Sequence, residues 1–140
     1  MNNRFYIAYG SNLNITQMKD RCPTAKIIGI SLLKDWRLLF KGRNSEAYLT
    51  IEPCIGSSTP VAVWMVSPFD EYLLDQYEGF PTLYFKKAMS LSVKNLRSEK
   101  FKMLRGFVYI MNDGYPPALP SREYVRICLE GYHAFRFNKN

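Results

Sequence analysis

The sequence Tyr9-Gly10-Ser11-Asn12-Leu13 lies between a short apolar run, Phe5–Ala8, and a helix-like pattern over Ile15–Cys22. The apolar run predicts a buried strand. A strand that breaks at a Gly-Ser-Asn turn and leads into a helix presents several backbone N–H groups in one direction, where they can bind an anion such as a carboxylate. We therefore interpret residues 9–13 as an anion-binding loop, called here the Gly-Ser-Asn loop. The same residues are also typical of a plain tight turn in which Asn12 or Asn14 caps a helix.

The length and composition are those of a single compact domain over residues 1–140. The chain has 140 residues, of which 47% are hydrophobic, and this is enough for one core. No apolar segment approaches the roughly 20 residues that span a bilayer, and the first residues lack the apolar part of a signal peptide. We therefore expect a cytoplasmic protein without a membrane partner.

The three cysteines, Cys22, Cys54 and Cys128, are widely spaced and form no Cys-x-x-Cys pattern. An odd number of separated cysteines predicts free thiols in a reducing compartment. One histidine and no clustered thiols leave too few ligands for a zinc site. The sequence therefore predicts no metal.

The net charge of +7 raises the possibility of nucleic-acid binding. Much of the excess is local, because seven Lys or Arg residues and one acid, Glu99, lie between Lys86 and Arg105. Lysines commonly protect the exposed edge of a hairpin from pairing with other strands. We favour a solvated hairpin there and expect no nucleic-acid partner.

The order of apolar runs and capping signals predicts an α+β domain whose sheet curls towards a barrel. Three short helices are predicted, beginning near Asn14, Ser67 and Ser121, and the second of them should end at Gly79. No regular strand–helix alternation is present. Seven segments predict strands, namely Phe5–Tyr9, Ile27–Ile30, Trp36–Phe40, Ala47–Ile51, Val61–Val66, Tyr84–Val93 and Phe101–Ile110.

Among the twelve acidic residues, Glu78 has an unusual position, in the last turn of the predicted second helix. The carbonyl groups exposed at a helix C-terminus disfavour a negative charge. Tyr77, Gly79 and Phe80 surround Glu78 in sequence and should exclude part of the solvent. Both effects raise the pKa of a carboxyl group towards the range of a general base. The alternative is a surface glutamate that happens to precede a capping glycine.

Together, these segments resemble the gamma-glutamylcyclotransferase-like family, also called AIG2-like. The resemblance rests on the Gly-Ser-Asn loop after an N-terminal strand and on Leu74-Asp75-Gln76-Tyr77-Glu78-Gly79 followed by Tyr84. It also rests on Ser121-Arg122-Glu123-Tyr124, which open the last helix before Gly131. The resemblance covers nearly the whole chain.

The resemblance implies a small mixed β-barrel with helices packed around it and an active site between the loop and the acidic residue. It implies an enzyme that cyclises a gamma-glutamyl group to 5-oxoproline and releases an amine or amino acid, without metal or organic cofactor. The backbone N–H groups from Gly10 to Leu13 would hold the α-carboxylate of the substrate. Glu78 would take a proton from its α-ammonium group and return it to the leaving nitrogen.

Tyrosines are further candidates for substrate binding. Tyr84, Tyr109 and Tyr124 match positions where the family tends to place tyrosines near the site, although each also suits ordinary packing. Tyr9 either packs at the end of the first strand or forms one wall of the pocket. The expected partner is a small-molecule gamma-glutamyl substrate, and the expected assembly is a monomer or weak homodimer.

Other interpretations and the leaving group stay open at the level of sequence. A non-catalytic small-molecule binding module of the same fold is one alternative. A cysteine nucleophile, Cys128 with His133, is a weaker one, because residues five apart on a helix face different directions. Gly42–Ser45 predict a loop. The released amine or amino acid depends on the loops around Arg43–Ser45 and Asn112–Pro117, whose conformations the sequence does not specify.

Overall fold

The computed structural model describes residues 2–43 and 46–137, and five strands in these residues close into a barrel in the order β1-β3-β2-β4-β5. β1 pairs antiparallel with β3 and parallel with β5. A 3₁₀ turn covers Ser11–Leu13. No helix in the described ranges is long and apolar enough to cross a membrane. The elements are β1 (Arg4–Ala8), α1 (Ile15–Arg21), β2 (Lys26–Arg43), β3 (Glu46–Val66), α2 (Pro68–Glu78), β4 (Tyr84–Asn95), β5 (Phe101–Met111) and α3 (Arg122–Ala134).

The predicted α+β barrel with three short helices is confirmed, but seven predicted strands merge into five. The segments 27–30 and 36–40 both belong to β2, and 47–51 and 61–66 both belong to β3. The polar break at Lys34-Asp35 is a bulge and not a turn, because the β2–β3 pairing resumes at Trp36 after a register shift. Asp35 has a φ of 67°, the left-handed conformation that aspartate tolerates better than most residues. In the predicted loop Gly42–Ser45, the first two residues end β2, and Asn44 and Ser45 lie outside the described residues.

Local capping chemistry sets the helix that carries Glu78. The Ser67 side chain accepts the N–H of Asp70, and the Asp70 carboxylate accepts the N–H of Ser67, which forms a capping box. At the other end, Gly79 has a φ of 65° and its N–H bonds back into the helix. The predicted start and end of α2 are therefore confirmed, and Glu78 is its last residue.

Two buried clusters occupy the two faces of the strands. Along β1, Ile7 joins one cluster and its neighbours Tyr6 and Ala8 join the other, as the alternation of side chains in a strand requires. The cluster with Tyr6 and Ala8 also contains Leu13, Met18 and buried residues of the other helices. The helices are thereby held against the barrel beside the end of β1, where the Gly-Ser-Asn loop begins.

Candidate active site

A cavity of about 20 Å³ lies between the Gly-Ser-Asn loop and the end of α2. It brings together every site residue expected from the sequence except Leu13. Leu13 is fully buried in the hydrophobic core, and its N–H donates to Gly10 O, so the expected role of the Leu13 N–H in binding the substrate is not supported. The lining residues are Tyr6, Ile7, Tyr9, Gly10, Ser11, Asn12, Leu49, Glu78, Tyr84, Tyr109 and Tyr124.

The Glu78 carboxyl group has a pKa raised from 4.5 to about 7. Burial among the tyrosines is the main cause, since removal from water disfavours the charged form. The positive charge of Arg21 acts in the opposite direction and lowers this pKa. The expected direction of the shift therefore agrees with the structure, with tertiary burial as its principal source. A carboxyl group with a pKa near neutrality can accept and return a proton.

The Gly-Ser-Asn loop uses part of its hydrogen-bonding capacity internally. The N–H of Leu13 donates to Gly10 O at 3.0 Å, and the N–H of Asn14 donates to Ser11 O at 2.9 Å. Within residues 2–43 and 46–137, no acceptor is found for the N–H groups of Ser11 and Asn12. These two amides lie next to the cavity and are available to an anion.

Helix α3 supports the loop from behind through a close backbone contact. A Cβ atom on Gly131 would lie 2.5 Å from the carbonyl carbon of Leu13 and 2.7 Å from the backbone nitrogen of Asn14. Only glycine allows this approach without a shift of the backbone. The Asn14 side chain reinforces the contact, because its amide nitrogen donates to Ile127 O at 3.1 Å.

Three of the tyrosine hydroxyls around the cavity are hydrogen-bonded to the backbone. The Tyr9 hydroxyl donates to Tyr109 O at 2.6 Å, and the Tyr84 hydroxyl donates to Leu49 O at 2.7 Å. The Tyr124 hydroxyl instead accepts the N–H of Leu49 at 3.0 Å. Because Tyr124 acts as the acceptor in that bond, its own hydrogen stays available for donation.

Comparison with known proteins identifies the family. The family described as "Gamma-glutamyl cyclotransferase, AIG2-like" matches residues 6–132. The chain belongs to this family. The curated human protein "Gamma-glutamylcyclotransferase" is 28% identical over an alignment of 134 residues that covers 90% of this chain and 68% of the relative.

Solved structures agree with this membership of the AIG2-like family. A structure of "Gamma-glutamyl cyclotransferase" superposes with a TM-score of 0.77 at 25% identity, covering 95% of this chain and 80% of the other. An AIG2-like protein from Mus musculus shares the fold with a TM-score of 0.61 at 18% identity, covering 100% of this chain and 98% of the other. Membership supports a gamma-glutamylcyclotransferase-type function in general.

Four residues at the candidate site of this AIG2-like chain were not predicted from the sequence, namely Tyr6, Ile7 and Leu49, which line the cavity, and Arg21, which lies outside it. Tyr6 could have been predicted, because the alternation of side chains along β1 places it on the opposite face from Ile7, the face against which the helices pack. Leu49 carried no signal, because it reaches the cavity from β3, far along the chain. Arg21 carried only a weak one, as a basic residue at the end of α1. Its guanidinium lies over the ring of Tyr77, with 3.5 Å between Cζ and the ring centroid.

Two alternatives from the sequence fare differently in the AIG2-like structure. Cys128 is buried, and burial raises the pKa of its thiol to about 11, whereas His133 is exposed. A protonated thiol away from its intended base is a poor nucleophile.

The lysine-rich hairpin is only partly a solvated edge. Lys86 is mostly buried and pairs with Glu71 at 2.6 Å and with Asp75 at 2.9 Å.

Proposed function

We propose that this protein is an enzyme that cyclises the gamma-glutamyl group of a small substrate to 5-oxoproline and releases an amine or amino acid. The observation that carries the proposal is the pairing of Glu78, whose pKa is about 7, with free amides of the Gly-Ser-Asn loop in one cavity. A carboxylate receptor and a base are the two groups that this reaction requires at the amino-acid end of the substrate.

The loop binds the α-carboxylate of the substrate. The N–H groups of Ser11 and Asn12 are uncommitted, and the first turn of a 3₁₀ segment directs them to one side. Gly10 contributes no side chain, which leaves the backbone accessible. With the carboxylate fixed there, the α-ammonium group lies towards Glu78 on the facing helix.

The reaction then proceeds within one molecule. Glu78 takes a proton from the α-ammonium group, and the freed amine attacks the gamma-carbonyl carbon to close a five-membered ring. The bond between that carbon and the leaving nitrogen breaks as the protonated Glu78 gives its proton to the leaving nitrogen. The released amine then takes the second proton that the ring nitrogen loses, so the products are a neutral lactam and an ammonium group. Proximity of the two ends within one substrate provides a high effective concentration for the attack.

Tyr124 assists at the gamma-carbonyl oxygen. Its hydroxyl is fixed by the Leu49 N–H, and it lies 3.5 Å from the position that a Cβ atom on Gly10 would occupy. Its free hydrogen can therefore donate to the oxygen on which negative charge develops during ring closure. A donor held in place before the reaction stabilises such charge without reorganisation.

The experiment is to incubate the purified protein with gamma-glutamyl amino acids, gamma-glutamyl amines and gamma-glutamyl-lysine isopeptide, and to measure 5-oxoproline. We expect product from at least one substrate class and its loss, by about a thousandfold or more, in Glu78→Gln. Asp20→Asn, an exposed neutralisation on α1, serves as the control and should keep full activity.

The result that overturns the proposal is equally direct. If the folded protein forms no 5-oxoproline from any substrate class, the enzyme interpretation is wrong and a binding module of the same fold replaces it. If Glu78→Gln retains the wild-type rate, another group is the base. Calorimetric binding of 5-oxoproline to Glu78→Gln distinguishes a lost proton transfer from a lost site, because the loop amides are unchanged in this variant.

A further inference from the structure

Arg21 lies outside the cavity and links α1, the Gly-Ser-Asn loop and α2. It is the last residue of α1, and its guanidinium extends back to the Gly-Ser-Asn loop. Nη1 donates to the Asn12 side-chain oxygen, and Nη2 donates to Gln17 Oε1 at 3.3 Å. The Asn12 amide nitrogen donates in turn to the hydroxyl of Tyr6 at 2.8 Å. The loop side chain is thus oriented at both of its polar atoms.

Tyr77 joins the same group from the facing helix. Its ring lies beneath the Arg21 guanidinium at 3.5 Å, a favourable position for a cation over an aromatic ring. Its hydroxyl is 2.8 Å from Ser11 Oγ, within hydrogen-bond distance. Tyr77 directly precedes Glu78 in sequence, so this contact links the loop to the turn of α2 that carries the proposed base.

We infer that Arg21 is a positioning residue. Through Asn12 and Tyr77, it fixes the Gly-Ser-Asn loop relative to the end of α2, so that the loop amides and the Glu78 carboxylate can contact the same substrate molecule. Only a planar guanidinium can stack on a ring and donate in its own plane to two acceptors at once. Lysine has the charge but lacks this geometry. The inference rests on the proposed function for its kinetic test.

Arg21 also contributes the cation that Glu78 experiences. Its charge lowers the pKa of Glu78 against the effect of burial. Asp75, on the same helix, pairs with Lys86 at 2.9 Å and accepts the Tyr109 hydroxyl at 2.6 Å. The remaining titratable groups around the carboxylate are neutral phenols whose pKa values are raised by burial, namely Tyr6, Tyr9, Tyr84, Tyr109 and Tyr124.

A purely structural role would have a different signature. Lys19 and Arg21 both lie in the last turn of α1, where any cation interacts favourably with the helix carbonyls. If Arg21 acted only in this way, Lys19→Gln and Arg21→Gln would have the same effects. Lys19 is exposed, which makes Lys19→Gln the matched control.

The kinetic test measures 5-oxoproline release against pH for Arg21→Gln, Arg21→Lys and Lys19→Gln. We expect Arg21→Gln to lower kcat/KM by about a hundredfold, since the reacting groups lose their alignment, and to move the acidic limb of the profile to higher pH. Arg21→Lys should keep the limb near its wild-type position while losing about tenfold in kcat/KM, because the planar fork is lost. Lys19→Gln should match the wild type in both.

A second readout needs no turnover. Carbon-13 NMR titration of the Glu78 carboxyl group should show a higher pKa in Arg21→Gln than in the wild-type protein and no change in Lys19→Gln. An unchanged Glu78 titration, or a wild-type rate and pH limb in Arg21→Gln, would overturn the inference. If the wild-type protein forms no 5-oxoproline, the proposed function fails, and the titration still decides whether Arg21 acts on Glu78.

Discussion

Two pockets of this barrel differ in size and in the chemistry of their lining residues. A groove of about 870 Å³ runs between β2 and β4, whereas the candidate site is a cavity of about 20 Å³. The groove exists because β2 and β4 pair only at Gly29–Asn95 and Ile30–Lys94 before they diverge. The described residues that line it include apolar side chains and three lysines, but no carboxylate, histidine or cysteine.

Chemistry, and not volume, distinguishes the candidate site from the groove. A carboxyl group in an open groove would be solvated and would keep an ordinary pKa. In the small cavity, Glu78 is surrounded by tyrosines, and burial moves its pKa to about 7. Selection by volume and apolar lining alone would favour the groove over the small cavity, although the described residues that line the groove lack the carboxylate that the proposed reaction needs.

The largest effect is expected for Glu78→Gln, with opposite signs for activity and stability. The folded pKa of about 7 lies above the ordinary 4.5, so the folded state binds more protons than the unfolded state between these values. The free energy of unfolding therefore falls as pH rises through this window and is level above it. Glutamine avoids this loss, and the variant should be more stable by about 3 kcal/mol at pH 8, since each pKa unit corresponds to about 1.4 kcal/mol.

Urea unfolding at pH 5 and pH 8 measures this difference. The stability gain of Glu78→Gln should be small at pH 5 and larger at pH 8, while 5-oxoproline formation is lost at both. An equal gain at the two pH values would show that the Glu78 carboxyl group does not titrate in this window.

The next largest effect is expected for Gly131→Ala, which tests the contact between α3 and the loop. The new methyl group would meet backbone atoms of Leu13 and Asn14 at 2.5–2.7 Å, and the backbone must move. We expect a loss of about 2–3 kcal/mol in the free energy of unfolding, together with reduced kcat/KM. Leu129→Ala, at a largely exposed position of the same helix, is the control. Wild-type stability in Gly131→Ala would contradict this packing.

Tyr124→Phe should have a smaller effect on stability and a clear effect on rate. Loss of the hydroxyl leaves the Leu49 N–H without its acceptor, which costs about 1 kcal/mol. It also removes the proposed donor to the gamma-carbonyl oxygen, and kcat/KM should fall about a hundredfold. Tyr48→Phe is the matched control, since that ring lies 5.2 Å from the Tyr124 ring. Equal rates in the two variants would remove Tyr124 from the mechanism.

The smallest effect is expected in the groove. Leu32 and Met103 are 55% and 64% exposed there, and Leu32→Ser or Met103→Ser should change the free energy of unfolding by no more than about 0.5 kcal/mol. Steady-state kinetics should show kcat/KM within about twofold of the wild type. A large loss of activity in either variant would mean that the groove takes part in the reaction, which would contradict its assignment to the small cavity alone.

The helix boundaries were predictable because their causes are local. Asn14, Ser67 and Ser121 each accept a backbone N–H three residues later, and Gly79 ends α2 in a left-handed conformation. The strand count was not predictable in the same way. A polar Lys34-Asp35 pair suits a turn as well as a bulge, and only pairing with the distant residues of β3 decides between them.

The features of the candidate site also separate into those that depend on local sequence and those that depend on tertiary contacts. The Gly-Ser-Asn loop, the position of Glu78 at the end of a helix and the resemblance to the AIG2-like family are all readable in the sequence, because they depend on residue types at short spacing. The burial that raises the pKa of Glu78, the fixation of Tyr124 by Leu49 and the reach of Arg21 to Asn12 and Tyr77 are decided by the tertiary structure alone. Desolvation and charge interactions depend on distances in space, and these distances join residues far apart in the chain.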